Sequence, residues 1–475
     1  MQSSQSRFVQ SNGTGDDLKQ WQRRIFWSVW MTYFAYYLCR YNMPVAKTTL
    51  CQTYQWDAER FGIVLSALTL MYAVGQFVNG QLADRFGTRA IASLGVLGSV
   101  LMNLAVFVLV RVAQPDTVDP EQVLMLPVPP ATETVAVKQP DTVDPEQVLM
   151  LLAMFWGANG FFQAMGWSPM VKVMAHWYPL NRRGKIMGML GTCYQFGGAC
   201  ASLLALFLVG YCAQELAGDW RYVFLVPAVL FAVVGALFFL LIRNRPEDVG
   251  LPAVTLEEEP LRTAGGEPGM TIAANVKRTF KNPHLWILAA TFFLLDVNRY
   301  GFVNWMPAFL DAQGLSHATP LLANFTKAMK LCIHPLAGSA GAILAGWASD
   351  RFFGGRRAPV IAVLLALLGA FSVLFPHINP TNTWLVVSVV AAVGFCTYGP
   401  HILMVGHAAQ DFGKKSGAAG ASGFIDAMGY VGATLAGWGA GRLINSHGYE
   451  ITFVTFGSAA FLAALLACII WKVKP

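Results

Sequence analysis

A chain of 475 residues that is 55% hydrophobic and only 12% charged is too apolar to be a water-soluble protein of this size. Its formal charge of +7 calls for no nucleic-acid partner, because most of the 33 Lys and Arg residues fall in the tails and even-numbered loops of a twelve-span reading, as the positive-inside rule requires. Six cysteines (Cys39, Cys193, Cys200, Cys332, Cys396, Cys468) fall within spans, so the sequence indicates neither a disulfide framework nor a metal site, and no cofactor is expected.

Apolar runs long enough to cross a bilayer begin near Ile25, Phe61, Ala90, Val148, Gly184, Tyr222, Leu285, Thr319, Ala358, Trp384, Ser416 and Ile451. They predict an all-α membrane protein of twelve spans in two six-helix halves, with both termini cytoplasmic. The polar N-terminal segment, 1–24, lacks a signal-peptide pattern and reads as a cytoplasmic tail. The expected division continues with a first half over 25–242, a cytoplasmic linker over 243–284 and a second half over 285–475.

The first span carries YFAYYLCRYNMP, in which Arg40 lies about 22 Å into a hydrocarbon layer ~30 Å thick. A guanidinium at that depth costs roughly 2.5–3.5 kcal/mol and normally faces a bundle interior or a watery cavity. Tyr33, Tyr37, Arg40 and Pro44 succeed one another at helical spacing, which predicts one helix face lined by two phenols and the guanidinium. After the second span comes Gly80-Gln-Leu-Ala-Asp84-Arg85-Phe-Gly. Between spans three and four, Gln114–Leu126 and Gln139–Leu151 are identical (QPDTVDPEQVLML), a tandem duplication inside an acidic, Pro-rich extracytoplasmic loop over 113–147 that shows no amphipathic pattern.

The seventh span, LWILAATFFLLDVNRYGFVNWMPAFL, carries Arg299 at the depth of Arg40. Asp296 precedes it by three residues, on the same helix face, and is expected to neutralise it. After span eight the loop motif returns as Gly346-Trp-Ala-Ser-Asp350-Arg351. The interval from Asp84 to Asp350 is within a few residues of that from Arg40 to Arg299, as two homologous halves require. Such halves place a substrate site between them near the midplane. Lys330 and His334 in span eight share a face, with Lys327 one turn away, and Asp426 lies in span eleven. Each buried arginine reads either as a substrate ligand or as an ion-paired tie between helices.

The chain resembles the organophosphate:phosphate antiporter family of the major facilitator superfamily. The resemblance is carried by YYLCRYN (36–42), FQAMGWSPMVKVMAHWY (162–178), RPEDVGLPAV (245–254), NRYGFVNWMP (298–307) and TYGPHILMVGHA (397–408). It implies that Arg40 and Arg299 hold a phosphoryl group, one from each half. Arginine suits that role because its rigid fork of donors matches two phosphate oxygens. Tyr33, Tyr37 and Trp167 match positions of the family's cavity and, with Tyr398, are expected to contact substrate. Where the glycerol-phosphate and hexose-phosphate members usually carry lysine after the first arginine, an acid before the seventh-span tryptophan, a lysine in span two and a histidine in span five, this chain has Tyr41, Asn304, Gln76 and Tyr194. These departures bear on the organic part of the substrate.

The resemblance therefore implies a secondary transporter, not an enzyme, that exchanges an organic phosphate for inorganic phosphate, acts as a monomer and sits in the lipid bilayer of the plasma (bacterial inner) membrane. A membrane sugar-phosphate sensor of the same fold and a proton-coupled organic-anion carrier are the alternative readings. Asp296 is expected either to compete with substrate for Arg299, favouring uptake at lower pH, or to form a permanent structural pair with it.

Overall fold

Every regular element among the described residues of the computed structural model is helical. The described residues are 2–113, 144–215, 219–254, 280–312, 320–354, 356–379 and 381–472; the side chains of 2–15, 77, 80–81, 83–85, 168, 180–185, 209–215, 320–328 and 406–422 lie outside that description. Most of the duplicated loop and of the central linker falls outside it too, as do the side chains of Gly80, Asp84, Arg85 and Lys327.

In chain order the long helices are α1 (Gln2–Leu38), α2 (Asn42–Tyr54), α3 (Ala58–Phe86), α4 (Thr88–Val112), α5 (Pro145–Gln163), α6 (Trp167–Trp177), α7 (Leu180–Glu215), α8 (Tyr222–Leu241), α9 (Pro283–Ala312), α10 (Pro320–Phe353), α11 (Ala358–Leu374), α12 (Thr383–Ile402) and α13 (Ala409–Ile469). A short π-helical turn, Leu403–Ala408, joins α12 to α13. Eight stretches are long and apolar enough to cross a membrane, and one of them, Gly423–Ile469, has the 47 residues needed for two crossings. Inside it Gly448 takes a left-handed conformation (φ 79°) between the eleventh and twelfth predicted spans. The spans missing from those eight are the first, fourth and seventh, whose runs are interrupted by the polar groups and breaks described below. Large apolar side chains such as Leu97, Val108, Val233, Leu240, Ile343 and Leu465 are exposed, as a lipid-facing surface requires.

The first span departs from the sequence expectation. Tyr33, Tyr37, Arg40 and Pro44 do not share one continuous helix: α1 stops at Leu38 and α2 starts at Asn42. Pro44 has no N–H to offer the carbonyl of Arg40, so the i→i−4 ladder is cut there. The fourth span, expected to be continuous, is cut between α5 and α6 over 164–166, and Pro169 stands in the same relation to Met165.

Helix α3 packs along α13, α7 along α10, and α2 against α9, which brings the two halves of the chain together. The end of the bundle with the α2–α3 turn is tied across these seams. Lys47 Nζ donates to Tyr449 Oη (3.0 Å) and lies 4.1 Å from the Trp305 ring centre, Thr48 Oγ1 donates to Asp311 Oδ2 (2.7 Å), and Ser66 Oγ donates to the carbonyl of Thr434 (2.6 Å).

Candidate functional site

Breaking a helix in the middle of a bilayer strands carbonyls where no water can reach them, at a cost of several kcal/mol for each unsatisfied group. Here a set of buried amides receives them. Gln163 Nε2 donates to the carbonyls of Cys39 (3.0 Å) and Tyr36 (3.3 Å), and Asn159 Nδ2 donates to Cys39 as well (3.0 Å). Ser99 Oγ donates to Asn159 Oδ1 (2.6 Å), and Asn42 Nδ2 to Asn103 Oδ1 (2.9 Å). Gln163 faces both ways: its Oε1 accepts a 2.6 Å hydrogen bond from Arg40 Nε. A hydrogen bond to a charged group contributes about 1.5–3 kcal/mol.

Arg40 is therefore seated by a neutral amide. Its guanidinium carbon lies 4.6 Å from the Tyr72 ring centre and 4.9 Å from that of Tyr37. Its Nη2 is buried and has no hydrogen-bond partner among the described residues. Arg299 is held differently, on unbroken α9, where Nη1 donates to Asp296 Oδ1 at 3.4 Å. The rings of Tyr300 and Tyr398 each lie 5.1 Å from its guanidinium carbon. Gly429 of α13 presses on Asp296, since a Cβ there would come within 2.7 Å of Asp296 Oδ2. Asp296 thus pairs with Arg299 as the spacing predicts.

Two chains of aromatic rings join the arginines. One runs from Arg40 to Tyr72, which stacks on Tyr430 at 4.4 Å, then to Tyr300 at 6.0 Å and so to Arg299. The other runs from Arg40 to Tyr37, Tyr194 at 6.3 Å, Tyr398 at 6.5 Å and again Arg299. Together they close a loop around the space between the halves. Tyr33 and Trp167, 4.8 Å apart, back it on one side, and the Tyr33 hydroxyl lies 3.4 Å from that of Tyr72. Arg40 and Arg299 are 6% and 7% exposed, so both guanidinium groups are buried within the bundle.

Of the residues singled out in the sequence, Arg40, Arg299, Tyr33, Tyr37, Trp167, Tyr194, Asp296 and Tyr398 are brought together. Gln76 is half-buried one turn beyond Tyr72 on α3, and Asn304 is buried on α9 outside this set of contacts. His334 and Lys330 are both buried. His334, with Tyr41 and Tyr398, lines a small adjoining cavity of about 30 Å³. The loop motif after span eight is an ion pair: Asp350 Oδ1 accepts from Arg357 Nη1 at 2.6 Å, while Gly346 and Arg351 flank it at the end of α10. Sequence reasoning missed Gln163, Asn159, Tyr72, Tyr300 and Tyr430. The signal available for Gln163 and Asn159 was the cost of an amide inside an apolar span.

The family model of the Major Facilitator Superfamily matches residues 29–437. A probable hexose phosphate transport protein of Chlamydia pneumoniae is 26% identical over 468 residues, covering 96% of this chain and 92% of that protein. The glycerol-3-phosphate transporter of Bacillus subtilis (strain 168) is 28% identical over 463 residues, covering 96% and 93%. Among solved structures, a bacterial homologue of the human lysosomal transporter Spinster, inward-facing and occupied, superposes with a TM-score of 0.67 at 14% identity, covering 96% of this chain and 97% of that one. The chain belongs to the Major Facilitator Superfamily, and the relatives it matches are those of the organophosphate:phosphate antiporter family within it.

Proposed function

We propose that the protein is a secondary transporter that exchanges an organic phosphate ester, of the sugar-phosphate or glycerol-phosphate class, for inorganic phosphate by alternating access. The observation that carries this reading is the closed aromatic loop with one buried arginine from each half at its opposite sides. A phosphate dianion between them accepts from Arg40 Nη2, which lacks a partner among the described residues, and takes the place of Asp296 on Arg299. Drawn to both arginines, it pulls the halves 25–242 and 285–475 together, and the carrier then reopens to the other side.

On this reading Arg40 and Arg299 are the phosphate ligands. Tyr33, Tyr37, Trp167, Tyr194, Gln76, Asn304 and Tyr398 shape the rest of the site. The motif residues Gly80, Asp84, Arg85, Gly346, Asp350 and Arg351 govern the conformational change. The protein works as a monomer in the plasma (bacterial inner) membrane with both termini cytoplasmic. The test is counterflow. Proteoliposomes loaded with inorganic phosphate are expected to accumulate external glycerol 3-phosphate or glucose 6-phosphate much faster than unloaded ones; uptake that ignores internal phosphate would remove the exchange mechanism.

A further inference from the structure

Past the two arginines, toward the α2–α3 turn, the halves leave a void of about 30 Å³ between them. Both sides of the seam enclose it: Tyr41 and Pro44, which follow Arg40, and Val303 and Pro307, which follow Arg299 by one and two turns of α9. Helix α10 supplies a third wall with Leu331 and His334. Tyr398, whose ring centre is 5.1 Å from the Arg299 guanidinium carbon, belongs to the wall as well, so the void adjoins the phosphate site. Three residues past Pro44, Lys47 makes its contacts to Tyr449 and Trp305. The void therefore lies between the arginines and that tied end of the bundle.

The polar groups around this void lack the partners that a packed core provides. His334 is 2% exposed, and its Nε2 has no hydrogen-bond partner among the described residues. A buried nitrogen left that way is costly, yet the ring is held where it is. It stacks on Phe302 at 6.4 Å, meets Tyr398 edge-on at 5.8 Å, and rides on a backbone pressed so close to Gly394 of α12 that a Cβ there has no room. Pro307 and Pro335, inside α9 and α10, have no N–H to offer the carbonyls of Val303 and Leu331, and both of those residues wall the void. A hydroxyl suits this set. It both donates and accepts, so it satisfies Nε2 in either tautomer, and it can donate to a carbonyl. A void needs roughly 10–15 Å³ to hold one water, so this one takes about two waters or a single hydroxymethyl group.

We propose that this void is the subsite for the organic part of the ester, that it takes one terminal hydroxymethyl group, and that His334 is the residue that selects it. The ester is then a short hydroxyalkyl phosphate, with its phosphate on Arg40 and Arg299 and its hydroxyl on His334 Nε2. Tyr398 sets the spacing: its ring centre is 5.1 Å from the guanidinium carbon of Arg299 and 5.8 Å from the imidazole centre, a separation that a phosphate on a three-carbon chain bridges. Inorganic phosphate uses the same two arginines and leaves the void to water, so both exchanged anions fit one site. A hexose ring exceeds the void and keeps the halves from closing. The proposal rests on the antiport reading above and narrows its substrate.

The experiment is counterflow into phosphate-loaded proteoliposomes, with 3-hydroxypropyl phosphate, propyl phosphate and glucose 6-phosphate as external substrates. The wild-type protein should take 3-hydroxypropyl phosphate with a KM at least tenfold below that of propyl phosphate, and should accumulate glucose 6-phosphate at less than a tenth of its rate. His334→Phe keeps a ring between Phe302 and Tyr398 but removes Nε2, so the KM ratio of the two propyl esters should fall toward one. His334→Gln returns a polar group and should recover part of that ratio, a pattern that a purely structural role would not give. Equal KM values for the two propyl esters in the wild type, a preference that survives in His334→Phe, or glucose 6-phosphate carried as fast as the hydroxyl ester would each overturn the proposal. If neither variant is recovered folded, the wild-type comparison of the three esters decides alone. Phosphate exchange without preference among the esters defeats this inference only; no phosphate exchange at all defeats the antiport reading and this inference with it.

Discussion

Arg40 and Arg299 stand at corresponding places in the two halves, yet their surroundings differ position by position. Four residues after Arg40 comes Pro44, and four after Arg299 comes Val303, so the first span breaks at its arginine and the seventh runs through. Three residues before Arg40 is Tyr37, whose ring underlies the guanidinium at 4.9 Å; three before Arg299 is Asp296, an ion-pair partner at 3.4 Å. Aligning Trp167-Ser-Pro169 with Tyr398-Gly-Pro400 sets Gln163, which seats Arg40, opposite Gly394, which has no side chain to do so. One arginine is held by a neutral amide and keeps a donor unpartnered among the described residues, while the other is already paired with an acid. On the proposed function, Arg40 is the fixed seat for phosphate and Arg299 the side that must exchange one anion for another.

The largest expected effect comes from removing the seat. Gln163→Leu deletes a charge-assisted hydrogen bond and also strands the carbonyls of Tyr36 and Cys39, so phosphate self-exchange in proteoliposomes should fall by about tenfold to a hundredfold, on the scale of 1.5–3 kcal/mol. The thermal midpoint of the detergent-purified protein should drop with it. Gln163→Glu keeps an acceptor for Arg40 and should recover part of the exchange; normal exchange in Gln163→Leu would show that Arg40 needs no such seat.

A smaller effect is expected on the paired side. Protonation removes Asp296 as a competitor for Arg299, so wild-type exchange should rise as pH falls, and Asp296→Asn should flatten that profile while changing the rate by less than about tenfold. Protein destabilised at every pH would make the Asp296–Arg299 contact a structural pair, and stable protein with an unaltered profile would remove Asp296 from both roles.

The smallest effect should come from the duplicated loop, an acidic, Pro-rich repeat with no amphipathic pattern. Deleting 127–151 and joining Leu126 to Leu152 leaves one copy of PEQVLML to begin α5, and exchange should stay within about twofold of wild type. Loss of folding would show that the inserted copy supports the bundle.

Much of this comparison is legible in the chain itself. The two arginines, their depth, the Asp296 spacing and the repeat of the halves follow from residue positions and the cost of charge in hydrocarbon. The contrast between Pro44 and Val303 is also written there, although helical periodicity alone places Pro44 on the face of an unbroken helix. Gln163 and Asn159 act on carbonyls of another span, and Ser99 on Asn159, relations no local pattern encodes. Tyr72 and Tyr430 become neighbours only when α3 packs on α13. Tertiary juxtaposition, not composition, makes them part of the site.

The central claim is that both arginines grip the same phosphate. Equilibrium binding of inorganic phosphate to the purified protein tests it most directly, with Arg40→Lys and Arg299→Lys beside the wild type, since lysine keeps the charge and loses the fork. Each substitution should weaken binding at least tenfold, about 1.4 kcal/mol, while the protein remains folded. Wild-type affinity in either variant would contradict a clamp shared between the two halves.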